Sequence, residues 1–137
     1  MSIYKNILIP IALDHERDPT RAFEVAEALL ADGGKVTALT VVEEIPPYVA
    51  QYLPADQLQR NMAAAQDVLA GLVKGRKGVD VAVVSGHAAQ TILDFAEKAE
   101  VDLIVIQSHR PGLQDYLLGS TAARVVRHAG CAVHVLR

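Results

Sequence analysis

The sequence predicts an α/β domain in which a five-stranded parallel sheet carries helices on both faces. Five short apolar runs alternate with four segments of helical period, in the order β-α-β-α-β-α-β-α-β. The runs are continuously apolar and rich in Val and Ile, as in strands buried on both faces. The chain has 137 residues, 51% of them hydrophobic, which is the size of one domain. Residues 1–137 are therefore read as a single unit.

The first strand is KNILIPIA, Lys5 to Ala12, an apolar run that meets a proline. In the helix that follows, Asp18 can cap, Pro19 suits the first turn, and Gly33 or Gly34 ends it. Its inner face is Phe23, Ala26, Leu29 and Leu30. KVTALTVV, Lys35 to Val42, is a β-branched second strand. The loop from Glu43 to Leu53 carries prolines and two tyrosines, Tyr48 and Tyr52; it reads as a lid or as an ordinary surface connection. The second helix runs roughly from Pro54 to Lys74, with Leu58, Met62, Ala65, Leu69 and Leu72 on one stripe. VDVAVVSG is the third strand. The third helix follows, with Ile92, Phe95, Ala96 and Ala99 inward, and VDLIVIQS is the fourth strand. STAARVVRHAG is the fourth helix, with Ala122, Val125, Val126 and Ala129 inward, and CAVHVLR is the last strand. Ligands of such sheets bind beyond the carboxyl ends of strands, where strand order reverses. The loops of interest therefore follow Ile11, Val42, Ser85 and Gln107.

Composition narrows the function. No apolar run is long enough to cross a bilayer, and the N-terminus lacks a signal-peptide pattern, so a cytoplasmic protein without a membrane role is expected. The lone Cys131 excludes an internal disulfide. A net charge of −3 and a pI near 5.9 argue against nucleic-acid binding, and aromatics at 4% leave little for a stacking platform. Gly-Lys-Ser/Thr, GxGxxG, CxxC and HExxH are all absent. Ser108 and His109 are adjacent, poor geometry for a nucleophile and its base. Glu24, Glu27, Glu97 and Glu100 read as solvated helix faces.

One stretch points to chemistry. Gly119-Ser120-Thr121 opens the fourth helix, whose first amides have no intrahelical partner and attract anions. Gly119 lets an anion approach the backbone. Ser120 and Thr121 can donate to phosphate oxygens, and Arg110 and His109 add charge from the start of the loop. The alternative is structural: Ser120 is an N-cap worth about 1 kcal/mol, and Arg110 is an exposed loop charge. His128 suits a helix C-terminus, and His134 alternates with valines in the last strand. Gly86 either admits a ligand or shapes its turn, and Cys131 reads as inert core.

The segments KNILIPI, VTALTVVEE, VVSGHAAQTILDFAEKAEVDLIVIQSHRPGL and YLLGSTAARVVRHAGCAVHVLR together resemble the universal stress protein family, over nearly the whole chain. The C-terminal third is similar to its nucleotide-binding branch. The resemblance implies a Rossmann-like adenine-nucleotide-binding fold and a homodimer. It implies ATP, or ADP or AMP, at the switch point, with Mg²⁺ accompanying a triphosphate. By position it implies a nucleoside contact at Pro10-Ile11, adenine read by the Val41 backbone, and a glycine after the third strand at Gly86. It places the cationic turn at Ser108-His109-Arg110 and the phosphate turn at Gly119, Ser120 and Thr121. It also implies that the last strand, Ala132, Val133, His134, Val135 and Leu136, pairs across the dimer axis, which would protect an apolar edge. The family pattern is broken at two positions and its second glycine is missing, the loop being one residue shorter with Arg110-Pro111 near that place. Its Asp after the first strand is replaced by Ala12, with Asp14 the nearest substitute. The first glycine of its Gly-x2-Gly-x9-Gly-Ser/Thr pattern is replaced by Gln107. The reading is thus a homodimeric, ATP-binding stress-response or regulatory protein with an unidentified partner, and at most slow ATP hydrolysis with no assignable general base. The alternative is a nucleotide-free dimeric interaction module whose pocket is altered at Ala12 and Gln107. An enzyme on the same architecture lacks an acid–base pair.

Overall fold

The computed structural model describes residues 2–13, 18–108 and 118–137. Its strands are β1 (Tyr4–Pro10), β2 (Leu30–Val42), β3 (Val79–Ser85), β4 (Leu103–Gln107) and β5 (Ala132–Leu136). Its helices are α1 (Thr20–Leu29), α2 (Pro47–Ala50), α3 (Gln57–Val73), α4 (Ala88–Lys98) and α5 (Ser120–His128). The expected α/β fold is found. The sheet order is β3-β2-β1-β4-β5, and every neighbouring pair is parallel. Strand order reverses at β1, so the switch point lies between the carboxyl ends of β1 and β4.

The apolar runs are continuous because both faces are covered. On β1, Ile7, Leu8 and Ile9 are at most 1% exposed. Ile7 and Ile9 join Phe23 and Ala26 of α1 and Leu69 of α3 on one side. Leu8 joins Ile92 of α4 and Ala122 and Val125 of α5 on the other. β4 alternates likewise, with Leu103 and Val105 on the first side and Ile104 and Ile106 on the second. Each fully buried side chain of this kind contributes about 1.5–3 kcal/mol.

Several boundaries differ from the sequence reading. α1 ends at Leu29 because Leu30 is already extended, with ψ 128°. Leu30 pairs with Tyr4, the chain turns through Gly33 at φ +79°, and regular pairing resumes at Asn6 with Lys35. The glycines thus serve a turn inside β2 rather than the helix end. The prolyl loop contains the short turn α2, and α3 begins at Gln57 rather than Pro54. Val126, expected inward, is 44% exposed. It lies about 100° around the helix from Val125, off the inward stripe of Ala122 and Val125. Among the described residues, no helix is long and apolar enough to cross a membrane.

Candidate functional site

Along β2, backbone groups alternate between the two neighbouring strands. Val42 accepts from Gly86 N–H at 3.0 Å, so it faces β3; Leu39 accepts from Ile11 N–H at 2.7 Å, so it faces β1. Val41, two residues beyond Leu39, therefore directs its N–H and C=O to the β1 side, past Pro10, the last β1 residue. The half-buried Pro10 and buried Ile11 form the wall of the crevice there. Ile11 is held by a second bond, from the buried Thr40 hydroxyl to its carbonyl at 2.8 Å. A threonine inside the apolar run KVTALTVV signals such a bond, because a buried hydroxyl needs a partner.

β4 forms the other wall. Ser108 is 4% exposed. Its N–H donates to the Leu136 carbonyl at 2.9 Å, and its hydroxyl approaches the same oxygen at 3.4 Å, so it faces β5. Gln107 faces the opposite way: Nε2 donates to the Asp18 carbonyl at 3.1 Å. Asp18 is itself fixed, its carboxylate accepting from the Thr20 N–H and hydroxyl. The Thr20 hydroxyl first, then the Thr20 amide, hold the Asp18 carboxyl below its usual 3.8 against an opposing desolvation, and the charge of Arg76 adds the least.

α5 starts at the end of β4. Its cap is Gly119 in extended conformation, with φ −60° and ψ 155°. This corrects the capping alternative: Ser120 is the exposed first helical residue, not the N-cap. A glycine cap supplies no side chain to the first amides of the helix. A Cβ on Gly119 would stand 3.2 Å from the Ser108 carbonyl oxygen, so the helix start and the strand end are in close contact. Thr121 is half-buried in the same first turn. Anion binding is the chemistry this arrangement suits.

Gly86 has a structural explanation. Its φ is +146°, and the Thr91 side chain fills the place a Cβ would take. Ala12 is exposed. Asp14, His109 and Arg110 lie outside the described residues. Of the expected site residues, Pro10, Ile11, Val41, Gln107, Ser108, Gly119, Ser120 and Thr121 sit at the carboxyl ends of β1, β2 and β4 and the start of α5. Gly86 lies further out, beyond β3. Cys131 is half-buried just before β5, and burial, with a smaller effect of Asp102, pushes its thiol up. A furrow of about 770 Å³ between α4 and α5, with Leu93, Glu97, Arg124 and His128 among its walls, lies toward the opposite edge of the sheet.

The model of the universal stress protein family matches residues 3–137. The universal stress protein MJ0531 of Methanocaldococcus jannaschii is 31% identical over 151 residues, covering 99% of this chain and 84% of its own. The solved structure of hypothetical protein MJ0577 superposes with a TM-score of 0.79 at 24% identity, over 97% of this chain and 95% of that one. A universal stress protein in complex with cAMP superposes with a TM-score of 0.62 at 20% identity, over 99% and 98%.

Proposed function

The chain belongs to the universal stress protein family, and on that premise we propose that it binds ATP or a related adenine nucleotide at the switch-point crevice. The observation that carries this reading is the seating of the Gly119 cap of α5 against the Ser108 carbonyl at the end of β4. It sets a helix N-terminus, with its partial positive charge, where ligands of such sheets bind. Phosphate occupies that end. The base lies toward β2, where the Val41 N–H and C=O offer the donor and acceptor that an adenine edge matches. The cAMP held by a structurally similar protein supports an adenine nucleotide as the ligand class. Mg²⁺ accompanies a triphosphate and is held by its oxygens and water.

The protein acts as a cytoplasmic homodimer whose regulatory contacts depend on nucleotide occupancy. β5 is an edge strand in the order β3-β2-β1-β4-β5, and its Val133, Val135 and Leu136 are only half-buried in the single chain. Antiparallel pairing of two such edges covers them. The Gln107–Asp18 bond favours a second reading, a nucleotide-free dimeric module, because it occupies the same crevice.

Titration calorimetry with ATP–Mg²⁺ and with AMP separates the two. Saturable binding is expected, weakened at least ten-fold in Gly119→Val, whose side chain crowds both Ser108 and the phosphate. Equal binding by Gly119→Val would remove the helix terminus from the site. Sedimentation tests the dimer; a monomer at high concentration contradicts the role of β5.

A further inference from the structure

Gln107 is the last residue of β4, and its side-chain amide reaches a residue 89 positions away in sequence, donating to the Asp18 carbonyl at 3.1 Å. The bond is made across the switch point. The chain leaves β1 at Pro10 and enters α1 at Thr20, and α1 packs over both β1 and β4. Its first turn therefore stands beside the crevice.

The acceptor is a fixed post. Asp18 is bound through its carboxylate to Thr20, with the backbone bond at 2.9 Å. Pro19 is buried, and its carbonyl accepts from Phe23 N–H at 3.1 Å. Phe23 is 3% exposed in the core, with the Arg76 guanidinium 4.5 Å from its ring centre. A hydrogen bond from the strand end to such a post fixes the distance between them; one to a loose loop would not.

We propose that Gln107 is a latch on the switch-point crevice. Its bond to Asp18 holds the strand end and the start of α1 together in the free protein, and a ligand entering between them must break it. Gln107 thereby sets the affinity of the crevice for its ligand. The identity of that ligand rests on the nucleotide reading; the latch itself rests on the bond. Release costs roughly five-fold in affinity, the size of one partly exposed hydrogen bond.

The test uses the full chain and two variants. Gln107→Ala removes bulk and donor; Gln107→Met keeps the bulk and removes the donor. Amide exchange at Thr20 and Phe23 reads the post, and titration with AMP reads the crevice. Both variants are expected to exchange roughly five-fold faster at these amides. Gln107→Ala is expected to bind AMP roughly five-fold more tightly than the natural chain. AMP binding seen only in Gln107→Ala would also uphold the latch, as a stronger one. Unchanged exchange in both variants overturns it. Faster exchange with equal AMP affinity in all three proteins also overturns it, while the nucleotide reading stands. If exchange rises and none of the three binds AMP, the nucleotide reading falls and Gln107 is a brace for α1, not a latch on a ligand site.

Discussion

Replacing Asp102 by alanine is expected to cost about 2.5 kcal/mol of stability. The magnitude follows from the way β1 and β4 meet. They share two register pairs, Ile7 with Leu103 and Leu8 with Ile104. Just before β4, Asp102 extends that short ladder with its side chain. Its Oδ2 accepts from Lys5 N–H and its Oδ1 from Asn6 N–H, both at 2.9 Å. Its own N–H donates to the Asn6 carbonyl at 3.0 Å. The Asn6 side chain in turn donates to the Ala99 carbonyl at 2.6 Å, tying in the end of α4.

A hydrogen bond to a charged group contributes about 1.5–3 kcal/mol. Half-burial of Asp102 and exposure of Lys5 argue for the low end: about 1.5 kcal/mol at Asn6 and about 1 at Lys5. The unfolding entropy of a chain this long is about 0.3 kcal/mol/K, so the Tm should fall by about 8 °C. Asp102→Asn keeps one acceptor and should lose about half as much. Urea and thermal unfolding followed by circular dichroism measure both. A loss for Asp102→Ala of less than about 0.5 kcal/mol would mean that the pair of bonds contributes no more than an exposed ion pair.

Glu100 is the described non-glycine residue with positive φ, +57°. It ends α4 in a Schellman arrangement, with Val101 N–H donating to the Ala96 carbonyl at 2.9 Å and Glu100 N–H to that of Glu97 at 3.2 Å. Glu100→Gly should therefore stabilise by about 0.5–1 kcal/mol, net of the extra freedom of glycine in the unfolded chain; a destabilised variant in urea melts contradicts the strain. Gly86→Ala should cost about 3 kcal/mol, from its Gly-only backbone and the Thr91 side chain in the way; a loss below about 1 in the same melts shows that the turn can rearrange. Asp18 has a depressed carboxyl, so its contribution is complete above the unfolded value and disappears as pH falls through the folded value, below 3.8. Carboxyl-carbon NMR should place its midpoint below 3.8 and move it upward in Thr20→Val; an unmoved midpoint excludes the Thr20 hydroxyl as the main cause.

The elements were legible where one physical rule decides them. Ile7-Leu8-Ile9 reads as a strand covered on both sides because the apolar run is short, rich in β-branched isoleucine and stopped by Pro10, too short for a buried helix. The start of α5 at Gly119-Ser120 was legible for equally local reasons. What escaped the sequence depends on distant partners. The early end of α1 follows from pairing of Leu30 with Tyr4. The outward Val126 follows from which stripe of α5 meets the sheet. The Gln107–Asp18 and Asp102–Asn6 bonds join residues 89 and 96 positions apart, and no local pattern encodes them. Thr40 lies between these cases: it sits inside a visible apolar run, but its bond to the Ile11 carbonyl joins residues 29 positions apart.

The proposed occupant of the crevice between the ends of β1 and β4 is an adenine nucleotide. Titrating the isotope-labelled chain with ATP–Mg²⁺, while following backbone amides by NMR, tests it most directly. Saturable shifts are expected, centred on Ile11, Val41, Gln107 and the Gly119–Thr121 turn, with those of the β3 edge and the amino ends of the strands unmoved. Unperturbed crevice amides at millimolar nucleotide, or shifts confined to another part of the surface, would contradict it.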